Sequence, residues 1–130
     1  MFEICVEKTF AAAHYLPGYP GPCSRLHGHN YRVRVFLRGS QLDENGLLCD
    51  FGTVKDALGE VLSRYDHFTL NDLPEFERMT PSTENVAFRI AEAMQKFTFG
   101  GATLHRIEVR ETPNQAATYY VPDARGGTGI

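Results

Sequence analysis

Tryptophan is absent from this chain, and cysteine is scarce, with only Cys5, Cys23 and Cys49. An odd count with no Cys-x-x-Cys pair argues for thiols rather than a disulfide framework, and against a thiolate zinc site. No apolar run approaches the roughly 20 residues of a membrane span, so no membrane partner is expected. Met1-Phe2-Glu3-Ile4 is not a basic region leading into an apolar run. No signal peptide is read there, and a cytoplasmic location is expected. A basic excess is also lacking, since 13 lysines and arginines face 16 acidic residues for a formal net charge of −3. A nucleic-acid partner is therefore not expected. A small anionic substrate stays compatible, because a local cationic cluster can hold one against a weak overall field.

What is present suffices for one domain over residues 1–130. Nine phenylalanines and six tyrosines can fill a core in 130 residues, a length that buries about two-thirds of its unfolded surface. Phe2 to Phe10 alternates, with Phe2, Ile4, Val6 and Phe10 on one side, as in a half-buried strand. Asn30 to Arg38 alternates again. Asp43-Glu44-Asn45-Gly46 predicts a turn, with a short strand Leu47 to Cys49 returning from it. The period then becomes helical through Phe51, Val54, Leu58, Val61, Leu62 and Tyr65, with Asp50 placed as cap. Ser82 or Thr83 can cap a second helix through Val86, Ile90, Met94 and Phe97, ended by Gly100-Gly101. Thr103 to Glu111 and Gln115 to Val121 read as a strand pair. The Gly-rich segment 122–130 reads as a loose tail. This order implies an α+β layer, an antiparallel sheet with two helices on one face.

The histidines are clustered. On a strand, His27 and His29 point the same way, and His14 follows a strand that would pair with theirs. Three imidazoles with no thiolate suit a catalytic zinc site, which keeps a position open, better than a closed structural one. Unrelated surface histidines are the plainer alternative. Cys23 precedes His27 by one short loop and could serve as base or nucleophile, or be a small buried thiol. Cys5 and Cys49 read as packing residues. Asp66-His67 could form a proton-transfer unit, although sequence neighbours need not touch. Glu111 continues the apolar parity of Ile107 and Val109. There it is either a buried carboxylate that needs donors or a solvated strand end.

Together the motifs resemble a known family. They are Phe10-Ala11-Ala12-Ala13-His14, Cys23-Ser24-Arg25-Leu26-His27-Gly28-His29, Asp50-Phe51, Asp66-His67 with Leu70-Asn71-Asp72, Pro81-Ser82-Thr83-Glu84-Asn85 and Arg110-Glu111-Thr112. Their joint order resembles the 6-pyruvoyltetrahydropterin synthase family over about Phe2 to Tyr120, closest to its bacterial carboxy-forming branch of queuosine synthesis. The resemblance implies the tunnelling fold, a four-stranded antiparallel sheet with two helices on one face, assembled as a homohexamer of two trimers. It implies zinc held by His14, His27 and His29, with Cys23, Asp66 and His67 as catalytic residues. Glu111 would anchor the pterin, and Thr83 and Glu84 would line the pocket from a neighbouring subunit. The implied substrate is 7,8-dihydroneopterin triphosphate, cleaved by a carbon–carbon lyase to 6-carboxy-tetrahydropterin, acetaldehyde and triphosphate. The alternatives are the pyruvoyl-forming reaction or a non-catalytic zinc pterin-binding protein. Ser24, Arg25 and Leu26 contain no glutamate, which disfavours the folate-pathway variant of the family. Arg25 and Lys8 are candidates for the triphosphate, and Pro113 to Ala117 departs from the family's usual wording.

Overall fold

The computed structural model describes residues 1–122. The expected loose tail therefore lies, beyond Pro122, outside the described residues. Five strands form one sheet in the order β3-β1-β2-β4-β5: β1 Phe2–His14, β2 His27–Gly39, β3 Phe68–Thr69, β4 Thr103–Thr112 and β5 Gln115–Tyr120. All pairings are antiparallel except β1 with β3, where Ala12 and Ala13 meet Phe68 and Thr69 in parallel. The architecture is the expected α+β layer, and the fifth strand is the difference. Two residues carry no period that a sequence can display, so β3 is invisible to pattern reading.

Two helices, α1 Phe51–Ser63 and α2 Thr83–Met94, cover one face of the sheet. Asp50 caps α1 by accepting from the Gly52 N–H at 2.9 Å, and Ser82 caps α2 by accepting from Asn85 at 3.2 Å. Such caps satisfy donors that have no partner inside the helix. Val54, Leu58, Val86 and Ile90 face Val33, Val35, Ile107 and Val109 in a fully buried core. Leu58 is completely enclosed there. Leu58→Ala should cost about 2–5 kcal/mol, read as a lower urea midpoint with an unchanged slope.

Some local expectations change. Leu47–Cys49 is not a strand. Asp43 takes the turn's donors, accepting from Asn45 and Leu47 N–H groups at 2.8 and 3.0 Å, and the chain runs directly to α1. Phe51 is half exposed rather than buried, because it opens the first turn of α1. α2 stops at Met94, before Gly100, whose positive φ of 61° serves instead the turn between Phe99 and Ala102. Cys5 is exposed, not packed, since odd positions of β1 face away from the helices. That open face is a charge lattice, with Arg34 donating to Glu7 and Arg38 to Glu3, each at 2.7 Å.

Candidate metal centre and active site

The β1–β2 register builds the centre. His14 pairs with His27 and Ala12 with His29, so the three imidazoles share the helix-covered face at one end of the sheet. Their ligand atoms lie within 4.8 Å of one another. The His14 ring is 4.5 Å from that of His27 and 5.1 Å from that of His29, centroid to centroid.

Backbone carbonyls orient two of the rings. Pro81, just ahead of α2, offers its carbonyl to His14 Nδ1 at 2.7 Å, and Arg25 offers its own to His27 Nδ1 at 2.7 Å. A carbonyl only accepts, so Nδ1 carries the hydrogen in each neutral ring and Nε2 keeps its lone pair. Ligating histidines are typically held this way. Burial pushes the pKa of both His14 and His29 below the usual histidine value, partly opposed at His14 by the Pro81 hydrogen bond and at His29 by the Glu111 charge. His14 Nε2 and His29 Nε2 are buried with no hydrogen-bond partner. Two converging unpartnered imidazole nitrogens fit a divalent cation that prefers imidazole, as zinc does.

Glu111, near the end of β4, stands at the same centre. Its Oε2 is 3.6 Å from both His14 Nε2 and His29 Nε2, and the Thr83 hydroxyl donates to it at 2.8 Å. Continued apolar parity thus carries this carboxylate inward. Thr83 reaches it within one chain. Glu84 is exposed in the first turn of α2.

Asp66 and His67 touch, His67 Nδ1 standing 3.0 Å from Asp66 Oδ2. Both grip Ala11 of β1. The Ala11 N–H donates to Asp66 Oδ1 at 2.9 Å, and the His67 N–H donates to the Ala11 carbonyl at 2.6 Å. His67 sits at a positive φ of 66°, a conformation that this double clamp holds in place. An open groove of about 450 Å³ runs between Ala11–Ala13, Gly28–Asn30 and His67–Thr69. It gives the exposed His67 and the His29 strand segment a common wall.

The backbone hydrogen bond from Ala11, then His67, holds the Asp66 carboxyl below its ordinary value of 3.8. A carboxylate depressed in the folded state contributes stability that is complete above its unfolded pKa. That contribution is lost as pH falls through the folded value. Asp66→Asn should therefore flatten the acid limb of stability, read as urea midpoints that fall less below about pH 4 than in wild type.

Cys23 lies on the 3-10 turn Pro22–Ser24, exposed, and its carbonyl accepts from the Leu16 N–H at 2.8 Å. That bond folds the β1–β2 loop back toward the histidine end. The thiol itself is not part of the histidine group. Arg25 contributes its carbonyl to His27, while Lys8, six residues before His14, lies about 20 Å along the strand, against Gly59 of α1.

Three participants have roles that the sequence does not assign, although Asn71 and Pro81 lie within the motifs quoted above. Pro81 acts through its carbonyl, which any residue type could supply. Asn71 fixes Tyr15, its side chain accepting from the Tyr15 N–H and donating to the Tyr15 carbonyl, both at 3.0 Å. Tyr31 is fully buried with an unpartnered hydroxyl, its pKa pushed up by burial and then by the Glu111 charge. Its parity with His27 and His29 was the available signal.

Comparison with known proteins identifies the family. The 6-pyruvoyl tetrahydropterin synthase family model matches residues 3–122. The 6-carboxy-5,6,7,8-tetrahydropterin synthase of Synechocystis sp. is 37% identical, over 94% of this chain and 95% of the relative. That of Bacillus subtilis is 35% identical, over 91% and 84%. Among solved structures, the 6-pyruvoyl tetrahydropterin synthase of Caenorhabditis elegans superposes with a TM-score of 0.81 at 29% identity, covering 93% of this chain and 97% of that one. No helix among the described residues is long and apolar enough to cross a membrane. With a family match that spans both the histidine centre and the sheet that builds it, this chain belongs to the 6-pyruvoyl tetrahydropterin synthase family.

Proposed function

We propose that this chain is a zinc-dependent 6-carboxy-5,6,7,8-tetrahydropterin synthase of queuosine biosynthesis, acting in the cytoplasm. The observation that carries the reading is the convergence of His14, His27 and His29, with the unpartnered Nε2 atoms of His14 and His29 beside Glu111. The names of the Synechocystis and Bacillus relatives support the carboxy-forming reaction.

His14, His27 and His29 would hold zinc, which when bound polarises the hydroxyls of the substrate side chain and makes them more acidic. The Glu111 carboxylate would accept from the N–H groups of the aminopyrimidine edge and so anchor the pterin. Thr83 would steady that carboxylate, and Glu84 would border the pocket. Cys23 would take a proton from side-chain carbon, and His67, oriented by Asp66, would return protons to carbon and oxygen. Those transfers isomerise the side chain toward a carbonyl. Triphosphate then leaves, water adds to the side-chain carbonyl next to the ring, and cleavage of the adjoining carbon–carbon bond yields the carboxyl group of 6-carboxy-tetrahydropterin and, after protonation, acetaldehyde.

The open charged face and the free edge of β1 suit association into the homohexamer implied by the resemblance. Among the described residues β1 is covered at that edge only over Ala12–Ala13. An edge this long invites pairing with another copy.

The pyruvoyl-forming reaction is the second reading, favoured by a Caenorhabditis elegans relative named putative 6-pyruvoyl tetrahydrobiopterin synthase at 35% identity over 76% of this chain. Acetaldehyde separates the two. Zinc-loaded protein given 7,8-dihydroneopterin triphosphate should release acetaldehyde in step with pterin product. Pterin product without acetaldehyde assigns the pyruvoyl reaction instead.

A further inference from the structure

The contact between Glu111 and the histidines is chemically unbalanced. The His14 Nδ1 hydrogen is committed to the Pro81 carbonyl, so His14 Nε2 presents a lone pair. It faces Glu111 Oε2, another acceptor, at 3.6 Å, and His29 Nε2 faces the same oxygen at the same distance. Neither nitrogen has a hydrogen-bond partner, and both are buried. The hydroxyl of Thr83 donates to Oε2 and holds the carboxylate turned inward. The His14 lone pair and the carboxylate oxygen repel each other at this distance, and a cation held between them and His29 removes that repulsion.

The spacing has the right scale. Two ligand atoms on a tetrahedral zinc with bonds of about 2.0–2.1 Å stand about 3.4 Å apart. The observed 3.6 Å separations approach that edge length. A ligating carboxylate also takes a second hydrogen bond to hold its orientation, which is the position of Thr83.

We propose that Glu111 is an exchangeable fourth ligand, closing the metal site through Oε2 when no substrate is present and leaving the metal when a pterin arrives. The inference rests on the three-histidine metal site of the proposed function and extends it. One carboxylate then has two successive partners, the metal and the N–H edge of the ring, and turning Oε2 toward the ring takes it off the metal. Pterin binding opens the coordination position that the substrate hydroxyls need. In the substrate-free chain the closed site resists water and stray anions. Tyr31 supplies a further observation, since its buried hydroxyl has no partner while Glu111 faces the histidines.

Cobalt(II) in place of zinc reports the ligand set directly. In substrate-free protein, Glu111→Gln should change the visible d–d bands. It should also weaken zinc, measured against a chromophoric chelator, by at least about tenfold, since losing even an outer-shell partner costs about 10–100-fold. Glu111→Asp, which keeps the charge and shortens the reach, should shift the same bands and weaken zinc as well. Neopterin added to the wild-type cobalt protein should move its bands and leave those of Glu111→Gln in place. Coincident spectra and affinities in wild type and both variants would overturn the ligation while leaving the histidine site standing. A wild-type chain that takes up no cobalt or zinc would overturn both.

Discussion

Cys23→Ala is expected to lower turnover of 7,8-dihydroneopterin triphosphate by about 10²–10⁴-fold, the span attributed to a positioned acid or base. Bound zinc should stay the same. The two halves of that result belong together. Cys23 is exposed on its turn and lies outside the histidine group, so removing its sulfur takes nothing from the metal ligands. Its carbonyl, not its side chain, makes the hydrogen bond that folds the loop back, and alanine preserves that bond. Steady-state rates with metal content measured on the same samples check the result. Equal rates in variant and wild type would remove Cys23 from the chemistry and favour a pterin-binding protein without turnover.

The second large effect belongs to His27. His27→Ala should weaken zinc by more than the roughly 10–100-fold that an outer-shell loss costs, and activity should fall with metal occupancy. His27 is the cleaner choice of ligand to remove. It is only partly buried, whereas His14 is 1% exposed and its loss would also open a cavity in the core. Chelator competition with the folded state followed by circular dichroism separates the two effects. Zinc affinity unchanged in His27→Ala would exclude the three-histidine site.

Much of this arrangement could be read from parity. His27 and His29 share a strand face because one residue separates them. The same rule sends Tyr31 inward behind them and Glu111 inward behind Val109. Bringing His14 opposite His27 needs the β1–β2 register, which the alternation of both strands suggested. What stayed hidden depends on contacts between segments distant in sequence. The Pro81 carbonyl that orients His14 is a backbone group and leaves no mark on residue choice. Nothing in Asp66-His67 announces that both residues clamp Ala11 or that His67 takes a positive φ. The Asn45-Gly46 turn was legible, but its consequence was not. Asp43 satisfies the local donors by itself, and no strand needs to follow. That Thr83, just after the Ser82 cap, aims its hydroxyl at Glu111 in the same chain is likewise a contact between distant segments.

The pterin product formed by zinc-loaded protein from 7,8-dihydroneopterin triphosphate, identified by mass spectrometry, tests the central claim most directly. The account predicts accumulation of 6-carboxy-tetrahydropterin that depends on zinc and disappears in Cys23→Ala. Substrate recovered unchanged from protein with its histidine site fully loaded would contradict it.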